Sequence, residues 1–170
     1  SLFSSRPVGE AVLSPQEAVD IARRFLEERG FDSMKESYHI NQGNVLTVNF
    51  APLENGVLVY PDLIKVSVAL DTGSVMGFEC HGWIMNHTAR TVSILAVSED
   101  AARAAVSPDL EIISHQIAMI PTAGEYEVLC HEFKCRTSAD THVIVYINAA
   151  TGSEEKILLL VEDESGTLVW

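Results

Sequence analysis

Positive charge is scarce in this chain, and so are cysteine and aromatic residues. Lys and Arg number 11 against 24 Asp and Glu, so the formal net charge is −13. A field of that sign repels the phosphate backbone of nucleic acids and anionic lipid surfaces, and it argues against both as partners. Three cysteines, Cys80, Cys130 and Cys135, are an odd count and too few for the disulfide framework of a small secreted domain. Long hydrophobic runs are missing too. The longest, such as 157–161, fall far short of the ~20 residues that span a bilayer. There is no G-x-S-x-G elbow, no H-E-x-x-H and no glycine-rich phosphate loop, because the 10 glycines fall mostly at turns.

What is present is enough apolar material, 47% of the residues, for one core or for two cores of roughly 80 residues each. It is ordered around residues 63–83. Ile64, Val66, Val68 and Leu70 alternate with Lys65, Ser67 and Ala69; Asp71-Thr72-Gly73-Ser74 turns the chain; Met76, Phe78 and Cys80 then form a second apolar row. This predicts an antiparallel hairpin with one buried face. The pattern returns at 143–153, followed by Ile157, Leu159 and Val161, so the chain reads as built twice.

Residues 1–12, with Pro7 and Gly9 and no period, read as a linker or the tail of a preceding unit. Ser14-Pro15-Gln16-Glu17 opens a helix with a serine cap, proline at the first position and glutamate three after the cap. Ala18, Ile21, Ala22, Phe25 and Leu26 give it one buried face, and Gly30 ends it. A strand at 38–40, a turn at Asn41-Gln42-Gly43-Asn44, a strand bearing Leu46, Val48 and Phe50, an Asn55-Gly56 hairpin turn and a third strand at 57–60 lead to Pro61-Asp62, which breaks the run. The second unit restarts at Ser98-Glu99-Asp100 with a shorter, alanine-rich helix cut off near Pro108. Strands follow at 112–120, 125–133, 143–148 and 157–161, with turns at Thr122-Ala123-Gly124 and Ser138-Ala139-Asp140 and one more short strand at 167–170. The expected architecture is α+β: two tandem repeats, 13–92 and 93–170, each a helix packed on an antiparallel β-meander. Residues 87–93 form the junction.

Candidate chemistry is thin. His131-Glu132-x-x-Cys135 and the dipeptides Cys80-His81 and Cys130-His131 suggest metal ligands by composition, yet adjacent strand residues point to opposite faces and the spacings match no zinc motif. Cys80 and Cys130, on apolar rows with Phe78 and Val128, read as buried thiols acting as small hydrophobes. His81 and His87 belong to the residue type that can act as a pH switch, but they are read as exposed and idle. Glu27, Glu28, Glu99-Asp100 and Glu162-Asp163-Glu164 read as solvated charges. Asn86-His87-Thr88 matches a glycosylation acceptor by its letters alone. No catalytic residue, metal or cofactor is expected. Candidate partner-binding residues are the aromatic or rigid Tyr60, Pro61, Trp83 and Tyr126, with Trp170 beside them. Residues 83–87 are unusually apolar for a junction; they either pack the two units together, the preferred reading, or present a patch to a partner.

The helix opening at Ser14-Pro15-Gln16-Glu17-Ala18, with turns at Val68-Ala69-Leu70-Asp71-Thr72-Gly73 and Val145-Tyr146-Ile147-Asn148-Ala149-Ala150-Thr151-Gly152, resembles the PepSY domain twice over. Residues 13–30, 59–66, Gly77-Phe78-Glu79 with Asn86-His87, and 146–152 are similar to the C-terminal region of the YpeB family of spore germination proteins. That resemblance implies a non-enzymatic role in spore germination beside a spore cortex-lytic enzyme of the SleB type, which the PepSY region would restrain or stabilise. It also implies a place on the outer side of the inner spore membrane, held by an N-terminal anchor absent from this chain. The wider PepSY name implies an alternative, a protease inhibitor or chaperone-like propeptide module.

Overall fold

The structure, a computed structural model, describes residues 2–91, 95–122, 126–163 and 166–169, with backbone alone for residue 2 and from 159 onward. Ala123 and Gly124 of an expected turn, the strand start at residue 125, Val92 and Ser93 of the junction, the side chains of Leu159, Val161 and Glu162-Asp163-Glu164, and Trp170 lie outside the described residues.

Helix α1 spans Pro15–Glu27 and carries both halves of the predicted capping box: Glu17 N–H donates to Ser14 Oγ, and Ser14 N–H donates to Glu17 Oε2. Strands β2 (Met34–Gln42) and β3 (Val45–Glu54) form a hairpin through Gly43 and Asn44, both at positive φ. Asn41 and Gln42 therefore belong to the strand, and the turn is the tighter one. Asn55 and Gly56, also at positive φ, link β3 to β4 (Val57–Val59), and a 3₁₀ turn at Tyr60–Asp62 follows, where Pro61 breaks the strand. The central hairpin is β5 (Ile64–Ala69) and β6 (Val75–Glu79).

A bulge between Ser67 and Val68 changes the second apolar row of that hairpin. Val68 pairs with Val75, and Val66 with Phe78, so Val75 and Phe78 face α1 with Cys80, whereas Met76 does not join that core. The chain also leaves the strand earlier than expected. Cys80 caps a short helix α2, His81–Asn86.

The second unit repeats the plan: α3 (Glu99–Ala105) capped by Ser98, then β7 (Glu111–Pro121), β8 (Glu127–Arg136), β9 (His142–Asn148), β10 (Glu154–Asp163) and β11 (Gly166–Val169). The α+β class with tandem helix-and-meander units is thus the observed one.

Two pairings reach beyond a simple meander. β4 runs parallel to β7, with Val57, Leu58 and Val59 opposite Ile117, Ala118 and Met119, and β11 meets β2 at Gly166 and Ile40. Since β3 also pairs with β4, the strands β2, β3, β4, β7, β8, β9, β10 and β11 close into a ring. Among the described residues three apolar clusters result. Leu26 of α1 packs with Phe50, Leu46 and Ile64 of the sheet; Phe133, Cys135, Val145 and Ile147 pack under α3; and Ala51, Leu58, Ala118, Cys130 and Tyr146 fill the space between the two units. Strand alternation explains the division, because Phe50 and Ala51, or Val145 and Tyr146, must face opposite ways.

Residues 2–13 are docked rather than free. A strand β1, Leu2–Phe3, adds to β6. The Arg6 guanidinium donates to both oxygens of Asp71 at 2.8 and 2.6 Å, and Gly9 N–H donates to the same carboxylate at 2.9 Å. Together these hold the Asp71 carboxyl well below the usual carboxylate range. Among the described residues no helix is long and apolar enough to cross a membrane.

Candidate partner-binding groove

The feature that brings separate parts of the chain together lies beside the 3₁₀ turn and α2, where the first unit meets β7 and β8. Close approach of backbone sets its floor. A Cβ at Gly82 would stand 2.9 Å from the carbonyl oxygens of both Pro61 and Leu63, so only glycine lets α2 lie this near the turn. Asn86 Nδ2 donates to the Pro61 carbonyl at 2.8 Å and fixes the helix there. Trp83, on the same helix, packs edge-on against Phe31 at 5.4 Å and stacks on the His87 ring at 3.7 Å.

A charged cluster behind this floor joins the two units. Asp62 is fully buried and accepts from both Arg90 Nη1 and Nη2 at 2.7 Å, while His87 Nδ1 lies 2.8 Å from Oδ2, the oxygen that also accepts from Nη1. Arg90 also donates to Glu127 at the start of β8, from Nε at 2.8 Å and Nη2 at 2.7 Å, and to the Asn86 carbonyl at 3.0 Å. Glu127 first, and then Asp62, raises the guanidinium above its ordinary value. Glu54 completes the group, 3.5 Å from His87 Nδ1. Glu54, Asp62 and His87 place one potential ligand atom each within 4.8 Å of one another. Both oxygens of Asp62 are already occupied by Arg90, so the set works as an ion-pair network that fastens the junction.

A groove of about 860 Å³ runs over this cluster, walled by Tyr60, Pro61, Met85, Pro121, Tyr126 and Glu127. Of the residues singled out from sequence, Tyr60, Pro61 and Tyr126 therefore share one surface although they come from different units. Trp83 does not line it; it packs into the core under α1. Of the apolar stretch 83–87, Ile84 and Met85 stand 69% and 65% exposed, as Tyr126 does at 78%. Exposed apolar and aromatic side chains at the rim of a groove are the composition of an interaction surface.

Tyr60, Leu63 and Pro121 also wall a second cavity, of about 390 Å³, that opens between the two units toward Tyr146. Burial first, and then the nearby Glu132 carboxylate, pushes both Tyr60 and Tyr146 far above the usual phenol range, so both remain neutral donors. Glu132 is 5% exposed. Its Oε1 accepts from Gln116, whose own Oε1 accepts from Lys35 at 2.7 Å, and its Oε2 has no partner among the described residues. Neither this buried polar ladder nor the Arg90 cluster was expected from the sequence. Glu132 shares the face of Cys130 by strand alternation, which marks a carboxylate on an inward row. Arg90 carried no such mark.

The remaining candidates have structural partners. His131 is 1% exposed; its Nε2 lies 2.9 Å from the Val97 carbonyl and its Nδ1 2.9 Å from His115 Nε2, so the His131-Glu132-x-x-Cys135 residues do not converge. Cys130 and Cys135 sit in different clusters, on opposite faces of β8. Burial pushes the Cys130 thiol up to about 12 and raises Cys135, which leaves both poor nucleophiles at neutral pH.

Comparison with known proteins supplies the family. A model described as "YpeB sporulation, PepSY1 and PepSY2 domains" matches residues 1–93, more than half of the chain. The chain belongs to the YpeB family. It is 37% identical over 162 residues to the sporulation protein YpeB of Halalkalibacterium halodurans, covering 95% of this chain and 36% of that protein. Against the sporulation protein YpeB of Bacillus subtilis it is 31% identical over 158 residues, covering 92% and 35%. The chain thus spans about a third of the length of these relatives. The solved structure of the Bacillus megaterium YpeB C-terminal domain superposes with a TM-score of 0.87 at 27% identity, over 94% of this chain and 70% of that one. The YpeB match ends at residue 93, just before the second helix-and-meander unit.

Proposed function

We propose that this chain is a non-catalytic binding module that restrains or stabilises a spore cortex-lytic peptidoglycan hydrolase of the SleB type, on the outer side of the inner spore membrane. The observation that carries this reading is the groove. In a family of sporulation proteins, it gathers exposed Tyr126 and Met85 with Tyr60 and Pro61 on one surface, on a floor fastened by Gly82 and the Asp62–Arg90–Glu127 cluster. A rigid surface with exposed aromatic and proline side chains suits the capture of another protein, since less ordering entropy opposes association. The titratable groups around it favour the same reading. Arg90 pairs with both Asp62 and Glu127, and both phenols are held neutral.

The test is direct titration of the purified chain with the purified hydrolase, followed by hydrolysis of cortex peptidoglycan with and without the chain. Saturable binding with slowed hydrolysis, or with a longer-lived hydrolase, is the expected result. Absence of association, also when a full-length YpeB relative replaces this chain, removes the reading. Inhibition of a panel of proteases in its place transfers the function to the protease-inhibitor alternative.

A further inference from the structure

Charge and shape at the groove select one kind of occupant. The cluster behind the floor holds three carboxylates, Glu54, Asp62 and Glu127, against the guanidinium of Arg90 and the ring of His87, a surplus of negative charge that reaches the groove wall at Glu127. Lys65 and Glu79, farther along, face each other at 3.7 Å and cancel. The apolar part of the wall is Met85, Tyr126 and Pro121. A second copy of this chain brings another −13 and is repelled, as are nucleic acid and anionic lipid. A ligand that suits both sides has a cationic group and a bulky apolar group a few ångströms apart.

An extended peptide meets that demand, because neighbouring side chains lie about 3.3 Å apart along it and point to alternate sides. From this complementarity we infer that the groove is the docking site for an extended, Lys- or Arg-bearing segment of a protein partner. Its bulky apolar side chain seats among Tyr126, Met85 and Pro121, and its cation faces Glu127. This deepens the binding-module reading and rests on it: the module grips its partner by a segment, through recognition of basic and apolar side chains in alternation.

The test pans a displayed library of random twelve-residue peptides on the whole chain, then measures one labelled enriched peptide by fluorescence anisotropy. Enrichment of peptides that pair Lys or Arg with a large apolar residue is expected, with affinity falling as salt rises. Tyr126→Ala and Met85→Ala each weaken that peptide about tenfold. Both side chains are exposed, so neither change threatens the fold, and Ile84→Ala, exposed on the same helix but outside the groove, leaves affinity unchanged. No enrichment, enrichment without basic residues, or equal affinity for the Tyr126 and Met85 variants overturns the inference. So does a dimer in sedimentation that Met85→Ala dissolves, which assigns the groove to a second copy. Parallel titration with the hydrolase separates the two claims. If the groove variants still bind hydrolase as the wild type does, the module function stands and the docking site falls. If peptides bind through the groove but hydrolase does not, the groove stands and its partner is another basic protein.

Discussion

The two units share one plan and differ in how much of their stability is their own. In the first, α1 is 13 residues long, has a complete capping box, and buries Ala18, Val19, Ala22 and Leu26 over a sheet face rich in large side chains. In the second, α3 has 7 residues, half of the capping box, and buries Ala102 alone. A helix that short contributes little by itself. The second unit makes up the difference through its neighbours: β7 borrows β4, β11 reaches β2, and Arg90 ties Glu127 to the buried Asp62. A repeated sequence pattern has therefore become an unequal pair, one unit largely self-supporting and the other dependent on the contact. The groove lies along that contact.

The strongest way to break this asymmetry is Arg90→Ala. It leaves the fully buried Asp62 carboxylate with His87 alone, and losing one partner of a buried pair costs up to about 3–5 kcal/mol. Two-probe denaturation is expected to show the second unit unfolding before the first; a single coincident transition contradicts the division of labour. Next is Leu26→Ala. It empties a fully buried site under α1 at a cost of about 2–5 kcal/mol, read as a lower denaturant midpoint for the whole chain because the second unit leans on the first. Serine caps sharpen the comparison at smaller scale. Ser14→Ala removes the reciprocal box and costs about 1 kcal/mol, whereas Ser98→Ala, at the end of a helix that carries less, costs about half of that by thermal melting.

The smallest effect is that of pH on the second unit. Burial lowers the His115 pKa, opposed by Glu99 and reinforced by His131 and Arg103. The folded state thus prefers the neutral ring. Its contribution is present above the unfolded value of about 6.5 and is lost as pH falls below it toward the folded value. His115→Gln is expected to flatten the change in midpoint between pH 7.5 and 5.5; an unaltered pH profile assigns the acid sensitivity elsewhere.

Much of the fold was legible because its signals are local. Ser14-Pro15-Gln16-Glu17 states a helix start in four residues, Asn55-Gly56 states a turn in two, and the alternation from Ile64 to Leu70 states a strand with a buried face. Where a distant partner decides, local signals fail. Met76 looked like a member of the row facing α1 until a bulge opposite Ser67 put Val75 there instead, and residues 80–83 looked like a strand until Gly82 let a helix settle on the Pro61 and Leu63 carbonyls. Residues 1–12 looked like a linker because nothing near them in sequence reveals that Arg6 meets Asp71. The candidate site divides in the same way. Tyr60, Pro61 and Tyr126 were marked by chemistry alone, and Trp83 was marked by chemistry but belongs to the core.

By itself the sequence determined the units, their order, their buried faces and the family, because period, caps and turn residues act within a few positions of the chain. Tertiary structure alone decided that β4 would run parallel to β7, that the ring would close, and that Asp62, Arg90 and Glu127 would meet beneath a groove shared by both units. Those contacts join residues that are far apart in the chain. Their free energy comes from burying a charge beside its partner and apolar faces against each other, which no local pattern encodes.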